Sequence, residues 1–176
     1  FTTRAIREGE NDGRDYFFVS PEEFEKRIRR DEFLEFANVH GNFYGTSHQQ
    51  VERETASGND VILEIDVQGA ESIRKMAPQA VQIFILPPSF GVLRERLIRR
   101  QTENENDLSL RLLNAHTEVK CYKEFDYVVI NDELIKATAD LQAIICAERL
   151  KCERQESKIS KIIKTFENFK TNSYGD

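Results

Sequence analysis

The sequence predicts an α/β fold, a parallel sheet flanked by helices and preceded by a smaller β-rich region. Three observations predict it. The runs Val61-Ile62-Leu63-Glu64-Ile65, Val81-Gln82-Ile83-Phe84-Ile85-Leu86 and Tyr127-Val128-Val129-Ile130 are near-continuously apolar, as strands buried on both faces are. Helical segments lie between and after them, at roughly 69–76, 90–100, 107–122 and 133–150, the alternation that builds a parallel sheet. The first third differs, with short extended runs punctuated by glycine.

Taken in order, Tyr16-Phe17-Phe18-Val19 is a strand candidate that runs into Ser20-Pro21-Glu22-Glu23. There Ser20 can cap a helix, Pro21 fits its first position and Glu23 completes a capping box. Phe24 and Ile28 give that helix its apolar positions, and Phe33 to Val39 resumes an extended pattern. Gly41-Asn42 is a turn signal before Phe43-Tyr44-Gly45. Ser47 with Gln50 suggests a second capping box, and Gly58 closes that helix. After Gln155 the chain is rich in lysine, with Ile159, Ile162, Ile163 and Phe166 at helical spacing, which predicts a final amphipathic helix.

The 176 residues suffice for a sizeable core. The formal charge of −6 argues against general affinity for nucleic acid or anionic membrane, and no apolar run approaches a membrane span of roughly 20 residues. Cys121, Cys146 and Cys152 match no zinc or redox spacing. They read as ordinary reduced thiols, which points to a cytoplasmic setting.

Ligands of parallel sheets sit at the carboxyl ends of the strands, which directs attention to Asp66, Pro87-Pro88 and Asn131-Asp132. Glu64 and Asp66 flank Ile65, so strand alternation puts both acids on one face. Two acids there need a metal, an arginine or a ligand donor for compensation. Arg4 and Arg7, beside two threonines and a glycine, could fork one phosphate between them; a solvated charged loop accounts for them as well. Tyr16 and Tyr44 fit half-buried sheet aromatics. Glu35, inside Phe33-Leu34-Glu35-Phe36-Ala37, sits where a carboxylate usually faces solvent. Arg94, Arg96, Arg99, Arg100 and Arg111 form a helix-borne cluster, interrupted by the acidic stretch 103–107.

Together these blocks resemble the guanylate kinase family. Thr2-Thr3-Arg4, Arg7, Gly9-Glu10, Asp15-Tyr16, Phe33-Leu34-Glu35 and Gly41-Asn42-Phe43-Tyr44-Gly45-Thr46 appear in order at family spacing. So do Leu63-Glu64-Ile65-Asp66-Val67-Gln68-Gly69, Ile85-Leu86-Pro87-Pro88-Ser89, Arg96-Leu97, Arg100, Arg111-Leu112 and Val129-Ile130-Asn131-Asp132. The resemblance covers about Phe1 to Leu150.

The resemblance implies a P-loop NTPase-type sheet with a small mixed-β GMP-binding subdomain and a helical lid. It divides the chain into a GMP-binding region (1–59), core strands and a helix (60–92), a lid region (93–122) and a core strand with C-terminal helices (123–176). The activity it implies is transfer of the γ-phosphoryl group of ATP to GMP with Mg²⁺. Arg4, Arg7, Tyr16 and Tyr44 correspond to the clamp on the GMP phosphate, and Glu35, Thr46 and Glu64 to the guanine readers. Asp66 corresponds to the acid near the magnesium ion. Arg96, Arg100 and Arg111 correspond to lid arginines that neutralise charge in the transition state, and Asn131 to the segment approaching the adenine of ATP.

The sequence departs from the family in places. Some members carry Asp at the position of Glu64 and Ser at that of Thr46, and Gln101 stands where glycine often follows the lid arginine. Members of the family carry a strand, a GxxGxGK[ST] phosphate loop and a helix before the position of Phe1. Without that segment the sequence as given is expected to bind GMP weakly and not to turn over ATP, and the motif is expected shortly upstream. The competing reading is a non-catalytic guanylate-kinase-like protein-binding module. The retained lid arginines and Asp66 favour the enzyme.

Overall fold

The computed structural model describes residues 1–39, 41–99 and 105–173. Arg100 and Gln101 lie outside them. The described chain forms two compact units, one built from Phe1–Gln82 and the described part of Thr102–Lys123, the other from Ile83–Arg99 and the stretch from Glu124 onward.

In the first unit, helix α1 (Pro21–Arg29) starts where its caps dictate. The Ser20 hydroxyl accepts from the Glu23 amide, and Pro21 occupies the first turn. Strands β1 (Phe33–Val39) and β2 (Asn42–Ser47) form an antiparallel hairpin that closes on the pair Val39 and Asn42. Gly41 there takes φ +80°, a conformation with little steric cost only for glycine. Phe24, with no exposed surface, stacks on Phe33 and Phe43 at centroid distances of 4.5 and 5.3 Å. Gly45 permits that approach, because a Cβ there would lie 3.0 Å from both Phe24 Cζ and Phe33 Cδ1.

The run at 16–19 forms no continuous strand. It makes isolated bridges, Thr2 pairing parallel to Phe18 and antiparallel to Tyr44, and Asp12 pairing with Tyr16. Thr2 thereby ties the first residues to the hairpin, so the pairing in this region is mixed.

Helix α2 (His48–Ala56) is capped by Ser47, whose hydroxyl accepts from the Gln50 amide. It ends at Ser57 and Gly58, the latter at φ +84°. Helix α3 (Val67–Met76) starts two residues earlier than its sequence suggests, because the Asp66 side chain caps it by accepting from the Gly69 amide. Gly69, Ala70 and Ile73 form its buried face, which packs on β1.

The apolar run 61–65 is not a strand among the described residues, contrary to its reading from sequence. A strand exists only through ladder bonds to a neighbour; this segment makes none here, and Ile62 stays 76% exposed. Helix α5 (Glu105–Glu118) gives way to a tighter 3₁₀ turn at Val119–Glu124.

In the second unit, β3 (Ile83–Leu86) and β4 (Tyr127–Ile130) pair in parallel, in register from Ile83–Tyr127 to Leu86–Ile130. The first of these starts two residues later than the apolar run does. Helix α4 (Phe90–Arg99) follows β3, while α6 (Leu134–Arg149) and α7 (Cys152–Ser173) follow β4. Val129 of β4 and Ala137 of α6 are its buried apolar residues among those described, and Glu148 of α6 is buried as well. Phe84 meets Phe125 edge to face at 4.9 Å. The Tyr127 hydroxyl donates to Glu148 at 2.6 Å, and Lys151 pairs with the same carboxylate at 2.8 Å, fastening the turn between α6 and α7 to the sheet.

Candidate active site

A pocket of about 270 Å³ opens in the first unit between the hairpin and the segment leading into α3. Tyr16, Glu35, Tyr44, Thr46, Glu64 and Asp66 line it, together with apolar surface from Phe1, Ala37, Val39 and Ile65. Six of the residues singled out from sequence therefore converge on one cavity.

Glu35 is only 6% exposed. It shares the inner face of β1 with Phe33 and Ala37, whereas Phe36 is 43% exposed. The expectation of a solvent-facing carboxylate is corrected: this face of the hairpin lines the pocket, and pairing slips between Phe33 and Glu35. Glu35 is paired across the hairpin with Thr46, whose hydroxyl donates to Oε1 at 2.6 Å. Burial pushes the Glu35 carboxyl above its ordinary 4.5; the Thr46 hydrogen bond opposes that rise, and the neighbouring Asp66 charge adds to it.

Gly69 sits against this carboxylate. A Cβ at that position would lie 2.9 Å from Glu35 Oε2 and 3.1 Å from Ile65 Cβ. The first turn of α3 thus approaches the acid as closely as a backbone without a side chain allows. Asp66 caps the same turn through Oδ1 at 2.8 Å, which leaves Oδ2 outside the cap. Glu64 and Asp66 both line the pocket, and so does Ile65 between them.

Arg4 and the two tyrosines form a cluster. The Tyr16 and Tyr44 rings meet edge to face at 6.0 Å, and the Arg4 guanidinium carbon lies 5.6 Å from the Tyr16 ring centre. Arg4 is also held by Glu10 through two hydrogen bonds, of 2.7 and 3.0 Å. Sequence reasoning gave Glu10 no role of its own; the available signal was a carboxylate three residues past Arg7 and across the Gly9 turn. Arg7 is exposed, and its backbone amide donates to Glu10 at 2.8 Å.

The remaining candidates are elsewhere in the chain. Arg111 is half-buried on α5 in the first unit. Arg96 and Asn131 belong to the second unit, where the Arg96 guanidinium donates to the carbonyls of Asn131 at 2.7 Å and Asp132 at 3.0 Å. Arg100 lies outside the described residues.

The guanylate kinase family model matches residues 1–148. A guanylate kinase from a Polaromonas species is 52% identical over 154 residues, spanning 88% of this chain and 75% of that protein. One from Thermotoga maritima is 48% identical over 160 residues, spanning 91% of this chain and 77% of that protein. The crystal structure of guanylate kinase from Anaplasma phagocytophilum matches with a TM-score of 0.74 and 35% identity, covering 90% of this chain and 81% of that one.

The chain belongs to the guanylate kinase family. Its fold is accordingly of the P-loop NTPase type, and it is an enzyme of the nucleoside monophosphate kinase class. The guanylate kinase relatives do not favour the non-catalytic binding-module reading. Among the described residues no helix is long and apolar enough to cross a membrane.

Proposed function

We propose that the pocket of the first unit binds GMP, and that the protein transfers the γ-phosphoryl group of ATP to it, giving GDP and ADP. The observation that carries the reading is the buried Glu35 carboxylate fixed by Thr46 inside a pocket lined by Tyr16 and Tyr44, with Arg4 lying against the Tyr16 ring.

Guanine presents N1–H and its N2 amino group as adjacent donors. A carboxylate accepts both, and Glu35 with Glu64 and Thr46 supplies the acceptors. Adenine presents an unprotonated N1 there, so lone pairs would face each other. A buried polar mismatch of that kind discriminates far more strongly than shape does. Arg4, Arg7, Tyr16 and Tyr44 bind the phosphate, with the arginines offering forked donors to its oxygens.

Asp66 fits the Mg²⁺ of the reaction. This ion is usually held by one or two carboxylates plus substrate phosphates rather than by an all-protein cage, and one Asp66 oxygen is free of the helix cap. Bound there, the ion would supply positive charge against the negative charge of the phosphates. Arg96, Arg100 and Arg111 supply positive charge to the transferring phosphoryl group, and Asn131 contributes to the ATP side. Three free thiols support a cytoplasmic setting.

Incubation of the full-length protein with ATP, Mg²⁺ and GMP, followed by chromatography of the nucleotides, tests the reading. ADP and GDP are expected in equal amounts, with no product when AMP replaces GMP. Equal turnover of AMP would remove it.

A further inference from the structure

We propose that Glu10 is the positioning residue of the phosphate clamp, holding the Arg4 guanidinium by one edge so that its remaining donors face the ligand phosphate. The proposal rests on the assignment of Arg4 to the GMP phosphate. It starts from a turn. Gly9 takes φ +86°, and the Glu10 amide donates back to the Arg7 carbonyl at 3.1 Å. The chain reverses there, and the Glu10 carboxylate returns to the two arginines.

Arginine carries five N–H donors in a plane. In Arg4, Nη1 donates to Glu10 Oε2 at 3.0 Å and to the Ala5 carbonyl at 2.7 Å, while Nη2 donates to Glu10 Oε1 at 2.7 Å. Three donors are thereby fixed on one side. The other two are Nε–H and the second hydrogen of Nη2, which form the opposite fork. Glu10 Oε2 is shared with the Arg7 amide at 2.8 Å, so one carboxylate sets both clamp residues. Most exposed ion pairs do little. This one is two-pronged, and the Arg4 side chain is only 12% exposed, the case in which such a pair fixes geometry. The Arg4 hydrogen bond, then that from the Arg7 amide, holds the Glu10 carboxyl below its ordinary range.

Charge and orientation predict opposite signs for removing Glu10. Its negative charge offsets part of the attraction between Arg4 and a phosphate, so on charge alone Glu10→Gln would tighten GMP binding. If orientation dominates, binding weakens. The inference is that orientation dominates, because an amide cannot accept both prongs of the fork.

Calorimetric titrations with GMP and with guanosine, which lacks the phosphate, separate the possibilities. Glu10→Gln should weaken GMP roughly tenfold, the size of one charge-assisted hydrogen bond, and leave guanosine unchanged. Glu10→Asp, which keeps the carboxylate, should recover part of the loss. In an Arg4→Ala background, Glu10→Gln should add nothing. The proposal is overturned if Glu10→Gln binds GMP as tightly as before or more tightly, if guanosine loses as much as GMP, or if the loss persists without Arg4. If Arg4→Ala itself leaves the preference for GMP over guanosine unchanged, the phosphate assignment fails, and this proposal with it.

Discussion

The Thr46 hydroxyl donates to Glu35 Oε1 at 2.6 Å across the β1–β2 hairpin, fixing a buried carboxylate at the floor of a pocket. A hydroxyl that donates to the acid leaves its own lone pairs for a ligand donor, so the pair offers acceptors and no competing proton. Glu35→Gln replaces part of that surface with an NH₂ group. GMP affinity should fall by about 1–3 kcal/mol, the range for a lost charge-assisted hydrogen bond, while AMP, already weak, should change little. Titration of both nucleotides checks this, and equal binding of AMP and GMP by the unsubstituted protein would refute the guanine assignment.

The same carboxylate predicts a pH dependence. Burial raises the Glu35 pKa above 4.5 in the folded protein. Over the window from that ordinary value up to the raised one, the folded state holds a proton that the unfolded state has lost. Stability of the ligand-free protein from this group therefore falls as pH rises through the window. GMP binding runs the other way. Pairing with guanine N1–H and N2 requires the ionised form, so affinity should rise with pH through the window, with a proton released on binding. The Glu35→Gln variant should lose both trends. A GMP affinity that stays flat down to the ordinary carboxylate value would show that Glu35 is already ionised there.

Local signals in the sequence were legible because they act within a few residues. Ser20 with Pro21, and Ser47 with Gly58, mark helix ends through bonds three or four residues long. The site residues around the pocket were legible through family spacing. What escaped depends on distant neighbours. The strand character of 61–65 needs a ladder partner that its own residues cannot supply. The inward face of Glu35 is set by what lies across the pocket. The carbonyl partners of Arg96 are 35 and 36 residues away in the chain.

Gly69 provides a test of close packing. In a helix, glycine to alanine ordinarily stabilises by roughly 0.8–1 kcal/mol. Here the added Cβ would meet Glu35 Oε2 at 2.9 Å and Ile65 Cβ at 3.1 Å. Overpacking of that sort costs about 1–3 kcal/mol, so the net effect of Gly69→Ala should be destabilising. GMP affinity should also drop, since the carboxylate is the softer of the two obstacles and would shift. Thermal unfolding and GMP titration measure the two effects. A variant more stable than the parent, with GMP affinity intact, would mean that α3 can move back without disturbing Glu35.

Arg96 separates two roles that charge alone would merge. The proposed role is to neutralise charge on the transferring phosphoryl group, which any nearby cation partly fulfils. Its observed hydrogen bonds serve another purpose. Nη1 and Nη2 hold the carbonyls of Asn131 and Asp132, directly after β4, and the Asn131 amide donates to the Leu86 carbonyl at 2.8 Å. Arg96 therefore also fixes the segment assigned to ATP. Lysine retains the charge but concentrates its donors at one ammonium and cannot reproduce the planar fork. Arg96→Lys should accordingly raise the KM for ATP while keeping part of kcat, whereas Arg96→Ala should impair both. Loss of a cation acting in the transition state lowers kcat by as much as ~10³ or more, so the alanine variant should be the far slower enzyme. The KM for GMP should stay near the parent value in both variants, because the residues assigned to guanine and its phosphate belong to the other unit. Steady-state kinetics with each substrate varied in turn gives all of these quantities. If Arg96→Lys leaves the KM for ATP untouched, the two carbonyl contacts have no part in nucleotide binding, and Arg96 acts through its charge alone.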